Sequence, residues 1–238
     1  MTSKSSSILE DVAIIRPLLI VLLVFYHAFA PFSGAWAPIH GYPNVQAYWW
    51  LDKLSYAFML ESFVFVSGYV FGYQVRTKGD IGLNPKKLFF GKFKRLIVPS
   101  IVFSVFYLLC FNVDTQSSYL DRVYNIISGV GHMWFLPMLF WCFAIIWVIE
   151  RIGIKIDIVL LLLSILSIFS FIPMPLHFNH ALYYMLFFYL GYIIQRKKLD
   201  LNALFTLKFA ILITGLFLLF FPLSIVLIEK ISDTIGGG

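Results

Sequence analysis

The sequence predicts an all-α fold, a polytopic bundle of transmembrane helices, and three observations carry that prediction. The 238-residue chain is 61% hydrophobic and only 13% charged, against roughly a quarter charged in an ordinary soluble domain. Its mean hydropathy is +0.88. Its apolar residues gather in runs near the 17 to 25 residues, roughly, with which a helix crosses a bilayer. The formal charge of +6 does not mark a nucleic-acid binder. The lysines and arginines stand in short blocks between apolar runs, which is the pattern of membrane topology. The lipid bilayer is therefore the expected partner of a single transmembrane domain over residues 1–238.

About seven spans are expected, over 12–30, 54–75, 96–113, 133–149, 156–172, 181–195 and 207–228. The N-terminal stretch "MTSKSSSILEDVAIIRPLLIVLLVFYHAFAPF" has no small-residue cleavage site and its apolar run is long enough to span, so it reads as a retained first helix and not a signal peptide. The third starts just after Arg95 and carries Pro99 in its first turn, where a proline costs little. The sixth is short, and is tilted, re-entrant or extended into its basic flank. The final "GGG" reads as a frayed end or a truncation.

Alternation of these spans puts Lys4, Arg76, Lys78, Lys86, Lys87, Lys92, Lys94, Arg95, Arg151, Lys155, Arg196, Lys197, Lys198 and Lys208 on one side. The other side receives Lys53, Arg122 and Lys230. This asymmetry places the N-terminus in the cytoplasm of a multi-pass protein of the cell membrane. With seven spans the C-terminus lies outside. The outer segments "SGAWAPIHGYPNVQAYWWLDK" and "NVDTQSSYLDRVYNIISGVGH" carry the tryptophans and tyrosines of an interfacial belt, and offer stacking surfaces for a sugar. Cys110 and Cys142 lie in apolar runs and are expected to be buried thiols, not a disulfide.

Ionisable residues inside the oil need a reason, because their desolvation is costly. Arg16 and His27 bracket the first span at a separation of eleven. At about 100° and 1.5 Å per residue, they project from nearly the same face about 16 Å apart. Arg16 either snorkels to the inner interface or contacts a substrate. His27 either makes an interhelical hydrogen bond or lines a functional cavity. Glu61, in "FMLESFVFVSGYVFGY", falls near the depth of His27. There it would orient the imidazole as the third member of a triad does, or pair structurally with a tyrosine or serine. Ser67, Gly68 and Gly72 suit close helix packing. His132 opens the fourth span beside Trp134, as an interfacial anchor or a substrate contact at a cavity mouth. His40, His177 and His180 lie in outer loops or near span ends, and no pair has metal-site spacing.

Five segments carry a resemblance: "RPLLIVLLVFYH", with ten residues between arginine and histidine, then "FVFVSGYVFG", "FKRLIVPSIVF", "GHMWFLPMLF" and "FFYLGYII". In this order, along about 190 residues, they resemble the signatures of the acyltransferase 3 family of bacterial membrane proteins. The resemblance implies transfer of an acyl group, commonly acetyl from acetyl-CoA, to a hydroxyl of a cell-surface glycan. Family members typically have about ten spans, so a seven-span chain would be truncated or a short variant. The implied enzyme is an O-acyltransferase with no bound cofactor and with acyl-CoA as co-substrate.

The residues suit that chemistry. An acceptor hydroxyl is a poor nucleophile and benefits from a neutral imidazole as general base, the role expected of His27 with Glu61 as its orienting partner. Arg16 and Arg95, with Lys94, stand near the expected cytoplasmic entrance. Arginine suits CoA phosphates because it is always charged and forks to two oxygens. His132 and Trp134 are the further candidates for substrate contact. The rival readings are a non-enzymatic transporter or exporter using the same polar residues as a path, and an inactive fragment.

Overall fold

The computed structural model describes residues 6–33, 45–79, 83–111, 118–199 and 206–236. Lys4, His40 and the last two glycines lie outside them, as do parts of both aromatic outer segments. Among the described residues every element is helical. In chain order these are α1 (Ser6–Ser33), α2 (Gln46–Tyr56), α3 (Met59–Lys78), α4 (Pro85–Lys92), a wide π turn (Phe93–Ile97), α5 (Val98–Phe111), α6 (Tyr119–Ser128), α7 (Phe135–Ile152), α8 (Ile156–Ser167), α9 (Phe178–Lys197) and α10 (Leu207–Gly236). Short 3-10 turns cover Gly131–Trp134, Ile168–Phe171 and Pro175–His177.

Among the described residues, five helical stretches are long and apolar enough to cross a membrane: Val12–Phe32, Gln46–Lys78, Pro85–Cys110, Gly131–Ile152 and Leu207–Leu227. The span expected over 156–172 is a shorter apolar helix, Ile156–Phe171. The span expected over 181–195 belongs to α9, whose tyrosines and glutamine lower its hydropathy. α9 meets protein along most of its length, with Tyr184, Phe188, Tyr189 and Tyr192 all buried.

Two elements begin earlier than the sequence suggests. The third span opens at Pro85, not after Arg95. Asn84 caps α4 by accepting from the Lys87 N–H, and Pro85 occupies the first turn, so the lysine block continues a helix in place of a loop. Pro99 then sits inside a continuous helix, just after the π turn. A proline removes a backbone donor and crowds the preceding turn, and a widened turn accommodates both. The second span likewise starts with α2, inside the segment expected as a loop, and is interrupted at Ala57–Phe58.

The chain forms two units, 1–197 and 198–238. In the first, α3 and α9 are the central pair. Lipid tails are as apolar as leucine, so close backbone approach through small residues draws such helices together. A Cβ added at Gly68 would meet the Phe188 backbone oxygen at 2.0 Å, and one at Gly72 would meet that of Tyr192 at 2.3 Å. Gly191 reciprocates against the Phe65 backbone oxygen at 2.2 Å. Both partners advance by four residues together, so α3 and α9 run in the same direction.

Met138, Cys142, Phe143 and Ile146 of α7 and Val159 and Leu163 of α8 complete this core. α1 packs Val12 and Leu19 against Val66. The outward faces are apolar: Leu18 and Val24 on α1, and Val102, Phe106 and Leu109 on α5, are all more than half exposed. Cys110 lies on this outward face and is exposed, contrary to expectation, whereas Cys142 is buried; both are free. In the second unit, α10 carries Pro222 within its length and stacks Phe217 on Phe221 at 5.1 Å.

Polar groups sort to the two ends of the first unit. The end of α1 meets the starts of α3 and α7 at one of them. At the other, the Arg76 guanidinium donates to the Gln195 carbonyl at 2.8 Å, the Tyr192 hydroxyl donates to Glu150 at 2.7 Å, and Arg196 lies 3.7 Å from the same carboxylate.

Candidate active site

The end of α1 places His27 in a cavity of about 400 Å³, a size usual for small-molecule sites. Its walls come from Leu23, Tyr26 and His27 of α1, Tyr56 of α2, Met59, Leu60 and Phe63 of α3, and the 132–136 segment that leads into α7. His27 and His132, distant in sequence, meet edge to face with ring centroids 4.5 Å apart. Trp134 borders the same space. Three of the six expected site residues are thus brought together.

The His27 ring is held from within its own helix. Its Nδ1 lies 2.7 Å from the Leu23 carbonyl oxygen. A carbonyl can only accept, so Nδ1 carries the proton, and in the neutral ring Nε2 is left with a lone pair. The place that a third triad member would take is filled by this backbone oxygen.

Glu61, expected to orient His27, has different neighbours. Its carboxylate faces the Tyr183 hydroxyl, with Tyr56 and Tyr184 also close. Its Oε2 is buried without a hydrogen-bond partner among the described residues. The carboxylate belongs to a tyrosine cluster that borders the cavity through Tyr56.

That cluster closes an aromatic belt. Tyr26 touches His27 at 5.2 Å and Tyr56 at 4.7 Å; Tyr56 faces Tyr184, and Tyr184 lies 6.2 Å from Trp134. Asp52 of α2, 1% exposed, acts electrostatically on Tyr26 and Tyr56. The sequence reading omitted Tyr26, Tyr56, Tyr184 and Asp52. The one available signal was an aspartate within the aromatic run "QAYWWLDKLSY".

Arg16 and Arg95 do not line this cavity. Both are exposed, Arg16 on α1 and Arg95 in the π turn. Lys92, grouped by sequence with the loop block, lies within the bundle instead, its Nζ 3.4 Å from the Phe143 ring centroid and 5.3 Å from that of Phe71. That is cation–π packing. Among the described residues no three histidine, cysteine or acidic side chains converge as a metal-ligand set.

The arrangement offers an imidazole oriented through Nδ1 in a largely apolar, partly enclosed space. Such a site can remove a proton from a hydroxyl. The family model described as an acyltransferase domain matches residues 10–234, nearly the whole chain. No curated protein and no solved structure matches it. The chain belongs to the acyltransferase 3 family and is a membrane acyltransferase.

Proposed function

We propose that the protein is an O-acyltransferase that moves an acetyl group from acetyl-CoA to a hydroxyl of a cell-surface or exopolysaccharide sugar, with His27 as general base. The observation that carries this reading is the His27 ring at the cavity wall, oriented by the Leu23 carbonyl on Nδ1 so that Nε2 is the unprotonated nitrogen of the neutral ring. Nε2 takes the proton of the acceptor hydroxyl while its oxygen attacks the thioester carbonyl carbon. The tetrahedral adduct expels the thiolate as the carbon–sulfur bond breaks, and the imidazolium returns its proton to sulfur. The proton is conserved, and no bound cofactor is required.

His132, whose ring packs against His27, and Trp134 contact the reacting groups in the same cavity. Arg16 and Arg95, exposed on elements leading away from the cavity, receive the phosphates of the donor. The one-sided basic blocks support an N-terminus in the cytoplasm and a chain seated in a bacterial inner membrane; in this reading the donor approaches from inside and the acceptor from outside.

The test is incubation of purified protein in lipid with radiolabelled acetyl-CoA and candidate surface glycans. Label appearing in glycan as an alkali-labile ester is the expected result. Thioester left intact with every acceptor would overturn the proposal.

A further inference from the structure

We propose that a second cavity, formed by α6, the 129–131 turn and His177, is the subsite that binds the acceptor sugar. Tyr124 is its stacking platform, and Asn125, Ser128 and His177 are its hydroxyl partners. The proposal rests on the transferase reading of the His27 cavity and adds where the saccharide is held.

The cavity is about 300 Å³ and lies against Tyr124, Asn125, Ser128, Gly129 and His177. Tyr124, Asn125 and Ser128 fall on one face of α6, since residues three and four apart are neighbours on a helix. Ser128 is 6% exposed, and its Oγ is buried with no hydrogen-bond partner among the described residues. A buried hydroxyl left unpaired costs free energy, and a ligand hydroxyl in the cavity would remove that cost. Tyr124 is 49% exposed, so its ring is available to the C–H face of a pyranose.

The wall is built to hold its shape. The Val130 N–H donates to Ser104 Oγ at 2.9 Å, and Ser100 Oγ donates to the Met133 carbonyl at 3.3 Å, pinning the turn to α5. Gly129 adopts φ +92°, and an added Cβ there would lie 2.6 Å from the Met133 backbone. Burial first, and then the neighbouring His180, lower the His177 pKa. The ring is therefore neutral near pH 7 and can accept a hydrogen bond from a sugar hydroxyl.

Two features favour a neutral polyol over a phosphate-bearing ligand. Among the described residues no lysine or arginine lines the cavity, whereas phosphate sites use them. The cavity also adjoins the chemistry. The His177 ring centroid is 6.0 Å from that of Trp134, and Trp134 borders the His27 cavity. A saccharide seated against Tyr124 and His177 extends towards Nε2 of His27.

The experiment uses the full chain in lipid nanodiscs. Saturation-transfer NMR with maltotriose, cellotriose and chitotriose measures sugar binding, and acetyl transfer from acetyl-CoA is followed on the same samples. At least one sugar receives saturation. Its Kd rises about tenfold in Tyr124→Ala and in Ser128→Ala, while the ring-preserving Tyr124→Phe stays near wild type. Asn125→Ala, exposed and outside the core, also weakens binding and guards against misfolding of the tyrosine variant. His27→Gln keeps the sugar Kd and loses transfer.

Absence of saturation for all three sugars, or Kd values indifferent to these variants, overturns the subsite even if acetyl transfer proceeds. Variant-sensitive sugar binding without any transfer upholds the subsite and removes the transferase reading instead.

Discussion

His27 owes its proposed role to a contact four residues back in its own helix, the Leu23 carbonyl. Its approximate depth and its alignment with Arg16 follow from spacing along one helix. The ring of His132 against it does not, because that contact requires the end of α1 to meet the start of α7. Glu61 shows the same limit: its depth was legible, but the helix break at Ala57–Phe58 and the tyrosines of α9 determine what its carboxylate faces. Glu61→Gln should therefore reduce turnover by no more than about tenfold, since an amide still offers a tyrosine partner and the His27 ring remains held. A steady-state transfer assay checks this, and a loss as large as that of His27→Gln would place the carboxylate in the proton path. Arg16→Lys should raise the KM for acetyl-CoA by about tenfold while the protein inserts normally, because the charge stays and the bidentate fork is lost. An unchanged KM would leave Arg16 as an interfacial anchor.

Among the elements, the α3–α9 pair depends most on single residues. Gly68→Ala or Gly191→Ala should cost about 1–3 kcal/mol, because each new methyl meets backbone that cannot turn aside. Gly91 is the control: a Cβ there meets nothing within 4 Å. Gly91→Ala in the α4 helix should be neutral or stabilising by up to about 1 kcal/mol. Thermal unfolding in detergent separates these outcomes, and equal melting temperatures for all three variants would contradict the packing account. The small residues of α3 were readable as a packing face, but their partner was not, since α9 lies more than a hundred residues away. The helical start at Pro85 was hidden because lysines lower hydropathy without opposing helix formation.

For the whole molecule, the all-helical membrane fold was legible because apolar run length is a local property. The path of α9 was less so, since a helix enclosed by protein need not be as apolar as one facing lipid. Topology is testable independently of chemistry. Reporter fusions after Lys78 and Lys198 should report cytoplasmic, and one within α6 external. A fusion after Lys78 that reported external would reverse the sides assigned to donor and acceptor.

The most direct test of the catalytic claim compares acetyl transfer to glycan by wild-type and His27→Gln protein at equal folded amounts in lipid. Glutamine retains a hydrogen bond but cannot take a proton at neutral pH. A general base is worth roughly a hundredfold to ten-thousandfold, so transfer should fall by at least about a hundredfold with insertion and melting temperature unchanged. If His27 served only packing, the substitution would change stability by no more than the 0.5–1.5 kcal/mol, roughly, of one hydrogen bond, and turnover by the glutamine variant at the wild-type rate would contradict the account.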